Sequence, residues 1–158
     1  MKNKQNRKKG FTLIELLVVV AIMGMLAALA VVALNNARQR ARDARRVSDI
    51  KQIQTALELY FLDSDMYPVA NTATLIGGKC LDDTGFVDNC GNGTVYMTTV
   101  PTNPRPYQDH DECTGNYTDY FYSRNSAQSY SLNYCVGGDI GDVGAGSHVA
   151  TPAGIVND

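Results

Sequence analysis

Residues 10–34 read GFTLIELLVVVAIMGMLAALAVVAL. Past Gly10 this run holds no proline, one glycine (Gly24) and one carboxylate, Glu15. At 1.5 Å per residue, about two dozen helical residues reach roughly 36 Å, more than the roughly 30 Å hydrocarbon core of a bilayer. The run can therefore span a membrane. Glu15 is the anomaly in it, because an ionisable side chain inside a membrane helix costs roughly 2.5–3.5 kcal/mol or more. Such a residue calls for a partner or a functional role.

Charge is segregated on either side of this run. Lys2, Lys4, Arg7, Lys8 and Lys9 precede it with no acid among them, and Arg38, Arg40, Arg42, Arg45 and Arg46 follow it. Beyond Tyr60 three cations face twelve acids, a net of −9. An acidic head of this kind lacks the clustered cations that replace phosphate counterions, so nucleic acid is not an expected partner. The positive-inside rule keeps the basic N-terminus cytoplasmic and places the C-terminal part outside the cytoplasm, although the second arginine cluster puts positive charge on the other flank too. The chain of 158 residues leaves little more than about 100 for a compact head once the span is set aside.

A cleaved secretory signal is the alternative for the run, since Ala28-Leu29-Ala30 supplies small residues in A-x-A spacing. Against it, an acid lies inside the apolar stretch, and apolar sequence continues through Val31, Val32 and Leu34 where a mature soluble chain would begin.

Helical character continues past the run. From Asn35 to about Leu62 there is no Gly or Pro, and Val47, Ile50, Ile53, Leu57, Tyr60 and Phe61 recur at three- and four-residue intervals beside Arg45, Asp49, Lys51, Gln52 and Glu58. Residues 11–62 therefore read as one helix of roughly 50 residues, apolar all round over 11–34 and amphipathic over 35–62. Sustained heptads with paired flanking charges, the mark of a coiled coil, are missing. Asp63-Ser64-Asp65 and Tyr67-Pro68 end the helix.

Residues 63–158 read as a globular head. Residues 71–93, rich in Gly, Asp, Asn and Thr, read as irregular chain with at most a short element at 72–76; residues 94–100 read as a strand closed by Pro101, Pro104 and Pro106. Residues 117–122 and 129–136 form an expected antiparallel hairpin turning through Arg124-Asn125-Ser126, and residues from Gly137 onward an irregular tail. The sheet must bury one face, and the stripe Ile50, Ile53, Leu57, Phe61 is the apolar partner available. The expected fold is α+β: a long N-terminal helix whose C-terminal half packs on a small antiparallel sheet with disulfide-tied loops.

Cys80, Cys90, Cys113 and Cys135 all lie in the head. An even count in a small exported domain points to disulfides with three possible connectivities; Cys80 with Cys90, closing the first loop, and Cys113 with Cys135, tying the second loop to the last strand, is the preferred pairing. No C-x₂-C pair is present and His110 and His148 are not at ligand spacing, so no metal is expected. No nucleophile–base pair, phosphate loop or carboxylate dyad stands out, and no enzyme is expected.

The order Lys8-Lys9-Gly10-Phe11-Thr12-Leu13-Ile14-Glu15 resembles the prepilin motif of type IV pilins and type II secretion pseudopilins. The resemblance covers the first fifty or sixty residues well and the head only weakly. It implies a basic leader over 1–10, cleaved after Gly10 by a prepilin peptidase, and N-methylation of the new terminus at Phe11. It also implies a single-pass precursor held by lipid in the inner membrane, engagement with an inner-membrane assembly platform, and a homo-polymeric filament outside the cytoplasm. Glu15, one helical turn after Phe11, takes in this picture the Phe11 ammonium of a neighbouring subunit, which offsets the burial of both charges. Where such helices often carry a proline, none is present here. The five arginines from Arg38 to Arg46 are open to three readings: headgroup binding, pairing with acids of adjacent heads, or a solvated face. The pseudopilins' calcium loop has its nearest match in Asp139 and Asp142, thin for an ion that wants six to eight oxygens, and no cofactor is assigned. A minor pilin that primes assembly or binds a surface or DNA, and a simple membrane-anchored binding domain, stay open as alternatives, as does pilus against secretion filament.

Overall fold

The computed structural model describes residues 10–70, 72–107 and 109–157; the basic leader up to residue 9 lies outside them. Helix α1 runs over Leu13–Ser64 without interruption. It ends through Asp65, which adopts a left-handed conformation (φ 55°) and donates its N–H to the Phe61 carbonyl at 2.8 Å, a C-terminal stop that satisfies an otherwise orphaned carbonyl. By packing, the chain divides after Ala37 into two units. The described part of the first is helix from Leu13 onward, with every described residue exposed and apolar side chains from Leu13 (82 % exposed) to Leu34 (49 %) uncovered. α1 is long and apolar enough in this part to cross a membrane.

The second unit begins with the rest of α1 and carries eight short strands: β1 Thr74–Leu75, β2 Cys80–Asp82, β3 Gly85–Val87, β4 Val95–Met97, β5 Phe121–Ser126, β6 Ser129–Val136, β7 Gly146–Thr151 and β8 Gly154–Asn157. They form two antiparallel sheets, of order β1-β5-β6-β7-β8 and β3-β2-β4. Along β6 the side chains of Tyr130, Leu132 and Tyr134 alternate inward, the period-2 pattern of a sheet with one buried face. They meet Ile50, Ile53, Ala56, Leu57 and Tyr60 of α1, with Tyr122 of β5 and Ala150 of β7, in one core. The α+β architecture is the expected one.

Three local expectations are corrected. The hairpin sits further along than residues 117–122 and its turn is Ala127-Gln128, because Gly115–Tyr117 forms a 3-10 turn and Asp119 is drawn off to accept the N–H groups of Tyr120 and Asn103. The stretch after Gly137 is not a tail throughout: β7 and β8 extend the main sheet beyond β6. The inward positions of β7 include Gly146 and Ala150, too small to give a strand signal in sequence. Within 71–93, β2 and β3 form a hairpin whose turn is fixed by Asp82, its Oδ1 accepting from Thr84 N (2.9 Å) and Oγ1 (2.6 Å) while Gly85 takes φ 113°.

Candidate functional site

At the start of α1, Gly10, Phe11 and Thr12 are not helical. Phe11 is 81 % exposed, and open space surrounds the position of a Cβ on Gly10. The Gly10–Phe11 bond thus lies in accessible, non-helical chain just ahead of the helix. Thr12 and Glu15 form a reciprocal cap. Thr12 N donates to Glu15 Oε2 at 2.9 Å, Thr12 Oγ1 donates to the same oxygen at 2.7 Å, and Glu15 N donates to Thr12 Oγ1 at 3.3 Å. This is the T-x-x-E capping box, legible in the sequence but not recognised there. Glu15 therefore reaches back within its own chain to Thr12 rather than to Phe11. Its other oxygen, Oε1, makes no hydrogen bond among the described residues. Beside it Phe11, Ile14, Val18 and Val19 form a shallow apolar furrow.

The arginine cluster divides by partner. Arg46, fully buried, donates to Asp43, to Asn103 Oδ1 (2.7 Å) and to the carbonyls of Pro104 (3.1 Å) and Pro106 (2.8 Å), and pairs with Asp109 at 2.8 Å. Arg42 meets Asp109 through two N–H groups at 2.9 and 3.0 Å, the bidentate fork of guanidinium and carboxylate. Burial alone would raise the Asp109 carboxyl, but hydrogen bonds and charge from Arg42 and Arg46 outweigh it and hold the group below its ordinary value. Asp43 also accepts from Gly137 N at 2.9 Å. These arginines thus fasten the 103–109 loop of the same head to α1, a role that charge patterning does not reveal because a buried and a solvated arginine look alike in sequence. Arg38, Arg40 and Arg45 stay exposed.

Cys80 is bonded to Cys90 and Cys113 to Cys135, with 10 and 22 residues of separation, and no described cysteine is free. The second bridge joins the loop after Asp109 to β6. Asp139 Oδ1 accepts the Ala145 N–H at 2.9 Å, and Ile140 and Val143 exchange main-chain hydrogen bonds across the same loop. The loop is closed by its own backbone, Asp142 is exposed, and among the described residues no three of His, Cys, Asp and Glu gather. Two carboxylates, one of them already accepting a main-chain N–H, are few for an ion that takes six to eight oxygens.

A family model described as the prokaryotic N-terminal methylation motif matches residues 5–31. Among curated proteins, the type II secretion system core protein G of Pseudomonas aeruginosa is 43 % identical over 108 residues, covering 66 % of this chain and 75 % of that one. The core protein G of Aeromonas hydrophila is 42 % identical over 106 residues (67 % and 62 %), and that of Vibrio cholerae 32 % over 103 residues (65 % and 57 %). The chain thus spans about three fifths of the length of the latter two relatives. No solved structure matches it significantly. Identity of 43 % over 108 residues, covering three quarters of the Pseudomonas protein, places this chain in the type II secretion system core protein G family of pseudopilins.

Proposed function

We propose that this chain is a structural, non-catalytic subunit of a type II secretion filament, made as an inner-membrane precursor and polymerised through α1 with its head outside the cytoplasm. One observation carries the reading: a helix exposed and apolar over its whole first unit opens on a carboxylate, Glu15, directly after an accessible Gly10–Phe11 bond. Apolar surface of that extent needs lipid or other helices to cover it. Cleavage after Gly10 creates an ammonium at Phe11, which is the N-methylation site. Glu15 Oε2 serves the cap of its own helix, and Oε1 takes the Phe11 ammonium of a neighbouring copy. The partners are further copies of the chain, a prepilin peptidase that also methylates, the inner-membrane assembly platform, and lipid before assembly.

The test separates the two duties of Glu15. Glutamine also completes a capping box, so Glu15→Gln retains the helix start and removes the charge, while Glu15→Ala loses both. Mature protein from cells should begin at N-methylated Phe11. Both variants should be inserted and cleaved yet be absent from sheared filaments. Filaments of normal yield from Glu15→Gln overturn the pairing role, and a mature terminus near Val31 overturns the reading as a whole.

A further inference from the structure

The face of α1 turned away from the sheet is cationic. Arg40 and Lys51 stand exposed on it, with Ala44, Ser48, Gln52 and Thr55 beside them and a shallow depression of about 420 Å³ between the small side chains. The two acids of this stretch, Asp43 and Asp49, are buried, Asp43 against Arg46 and Asp49 against the Tyr120 hydroxyl. Arg42 and Arg46 are matched by Asp43 and Asp109, whereas Arg40 and Lys51 make no ion pair among the described residues.

The complementary charge lies at the far end of the same helix. Asp63 is exposed and accepts the Tyr96 hydroxyl at 2.9 Å. Asp83, also exposed, donates its N–H to the Thr94 carbonyl at 2.9 Å and lies near Tyr96. Neither aspartate makes an ion pair among the described residues, and Leu62 beside them is 74 % exposed. On one rigid helix Lys51 and Asp63 are held about 18 Å apart along the axis, too far to pair within a chain. A second copy displaced along that axis brings them together.

We propose that Arg40 and Lys51 receive the Asp63–Asp83 end of a second copy of this chain, an inter-head contact that sets the axial offset between neighbours. It rests on the filament reading above and adds the surface by which heads recognise one another. Small side chains around the two cations let the incoming head approach closely, and opposite charges fix register and reject wrong offsets.

The test uses the full chain in cells with its secretion machinery. Arg40→Glu with Lys51→Glu, and separately Asp63→Lys with Asp83→Lys, should each lower polymer by about tenfold or more, with membrane levels and both disulfides unchanged. The fourfold swap should recover polymer to within about threefold of the parent. A photo-crosslinker at Ser48 of the otherwise unaltered chain should give a covalent dimer whose partner peptide lies within residues 63–96, and this readout decides if a reversal variant fails to fold. Parent-level polymer from both folded reversals, a fourfold swap that folds without recovering polymer, or Ser48 joined to phospholipid or to another segment in a chain that polymerises, overturns this inference alone. No polymer from the parent overturns the filament reading and this inference with it.

Discussion

Arg46 Nε, on a fully buried side chain of α1, donates to Asn103 Oδ1 at 2.7 Å across 57 residues of sequence. Asn103 in turn donates from Nδ2 to the Thr118 carbonyl at 2.8 Å and takes Asp119 on its backbone N–H at 3.1 Å. One guanidinium thereby holds two loops of the head on the helix. Arg46→Met leaves Asp43 and Asp109 buried with less compensation, and breaking a buried pair in this way costs about 3–5 kcal/mol. Urea unfolding of the detergent-solubilised chain should show that loss, while Asn103→Ala should cost a smaller 1–3 kcal/mol or so. Equal midpoints for Arg46→Met and the parent would contradict the account.

Gly137 is needed where the same loop crosses β6's end. A Cβ there would lie 2.4 Å from Asp109 Cβ and 3.2 Å from its carbonyl oxygen. Gly137→Ala must push the 109 loop away from Arg42 and Arg46, at about 1–3 kcal/mol. Gly10→Ala and Gly24→Ala, with open space around the added atom, should leave head stability unchanged in the same denaturation assay.

The helix start rests on the Thr12–Glu15 cap. Thr12→Val keeps the shape and removes the hydroxyl that both donates to Glu15 and accepts from its N–H. It should cost about 1 kcal/mol locally, read as faster amide hydrogen exchange at residues 13–16 with no change in the head. Unaltered exchange there would show that the cap contributes nothing to the helix start.

Acid should weaken the head through Asp109 and Asp82. Asp82 is held below its ordinary value of 3.8 by the Thr84 side chain and the N–H groups of Gly91 and Thr84, and Asp109 by the two arginines against the effect of burial. A carboxylate lowered in the folded state gives stability that is full above its unfolded value and is lost as pH falls through the lower folded value. Asp49 has the opposite sign: burial raises it, against a hydrogen bond from Tyr120 and the charge of Arg45, so its contribution falls as pH rises through the carboxylate range. Unfolding midpoints from pH 7 down to about pH 2 should drop in the region below 3.8. The drop should shrink in Asp82→Asn, and Asp49→Asn should remove the opposing slope.

The two disulfides should differ in weight. By the chain-entropy relation, closing 22 residues between Cys113 and Cys135 stabilises by about 3.4 kcal/mol. Closing 10 between Cys80 and Cys90 gives about 2.7 kcal/mol. Paired serine substitutions, compared by thermal unfolding, should rank in that order, and the Cys113–Cys135 pair should also free the 109 loop. The reverse ranking would argue against a loop-closure origin.

The chain's sequence alone determined the long helix, its apolar first half, the acid at its start, the sheet-on-helix class and the disulfide-bonded character of the head. Each of these follows from composition or from a local period: two dozen apolar residues need no tertiary context to predict a helix, and the stripe from Ile50 to Phe61 repeats at the helical interval. Tertiary structure alone decided three things. It chose which arginines face inward, because Arg46 differs from Arg45 only in the angle at which the helix presents it to Asn103 and Asp109. It also made strands of Cys80–Asp82 and Gly146–Thr151, whose small or polar residues carry weak β signals of their own and become strands by pairing with β3 and β4 and with β6 and β8. Finally, it left Arg40 and Lys51 on one exposed face of α1 and Asp63 and Asp83 exposed elsewhere, with no ion pair among the described residues, because about 18 Å of helix lies between Lys51 and Asp63.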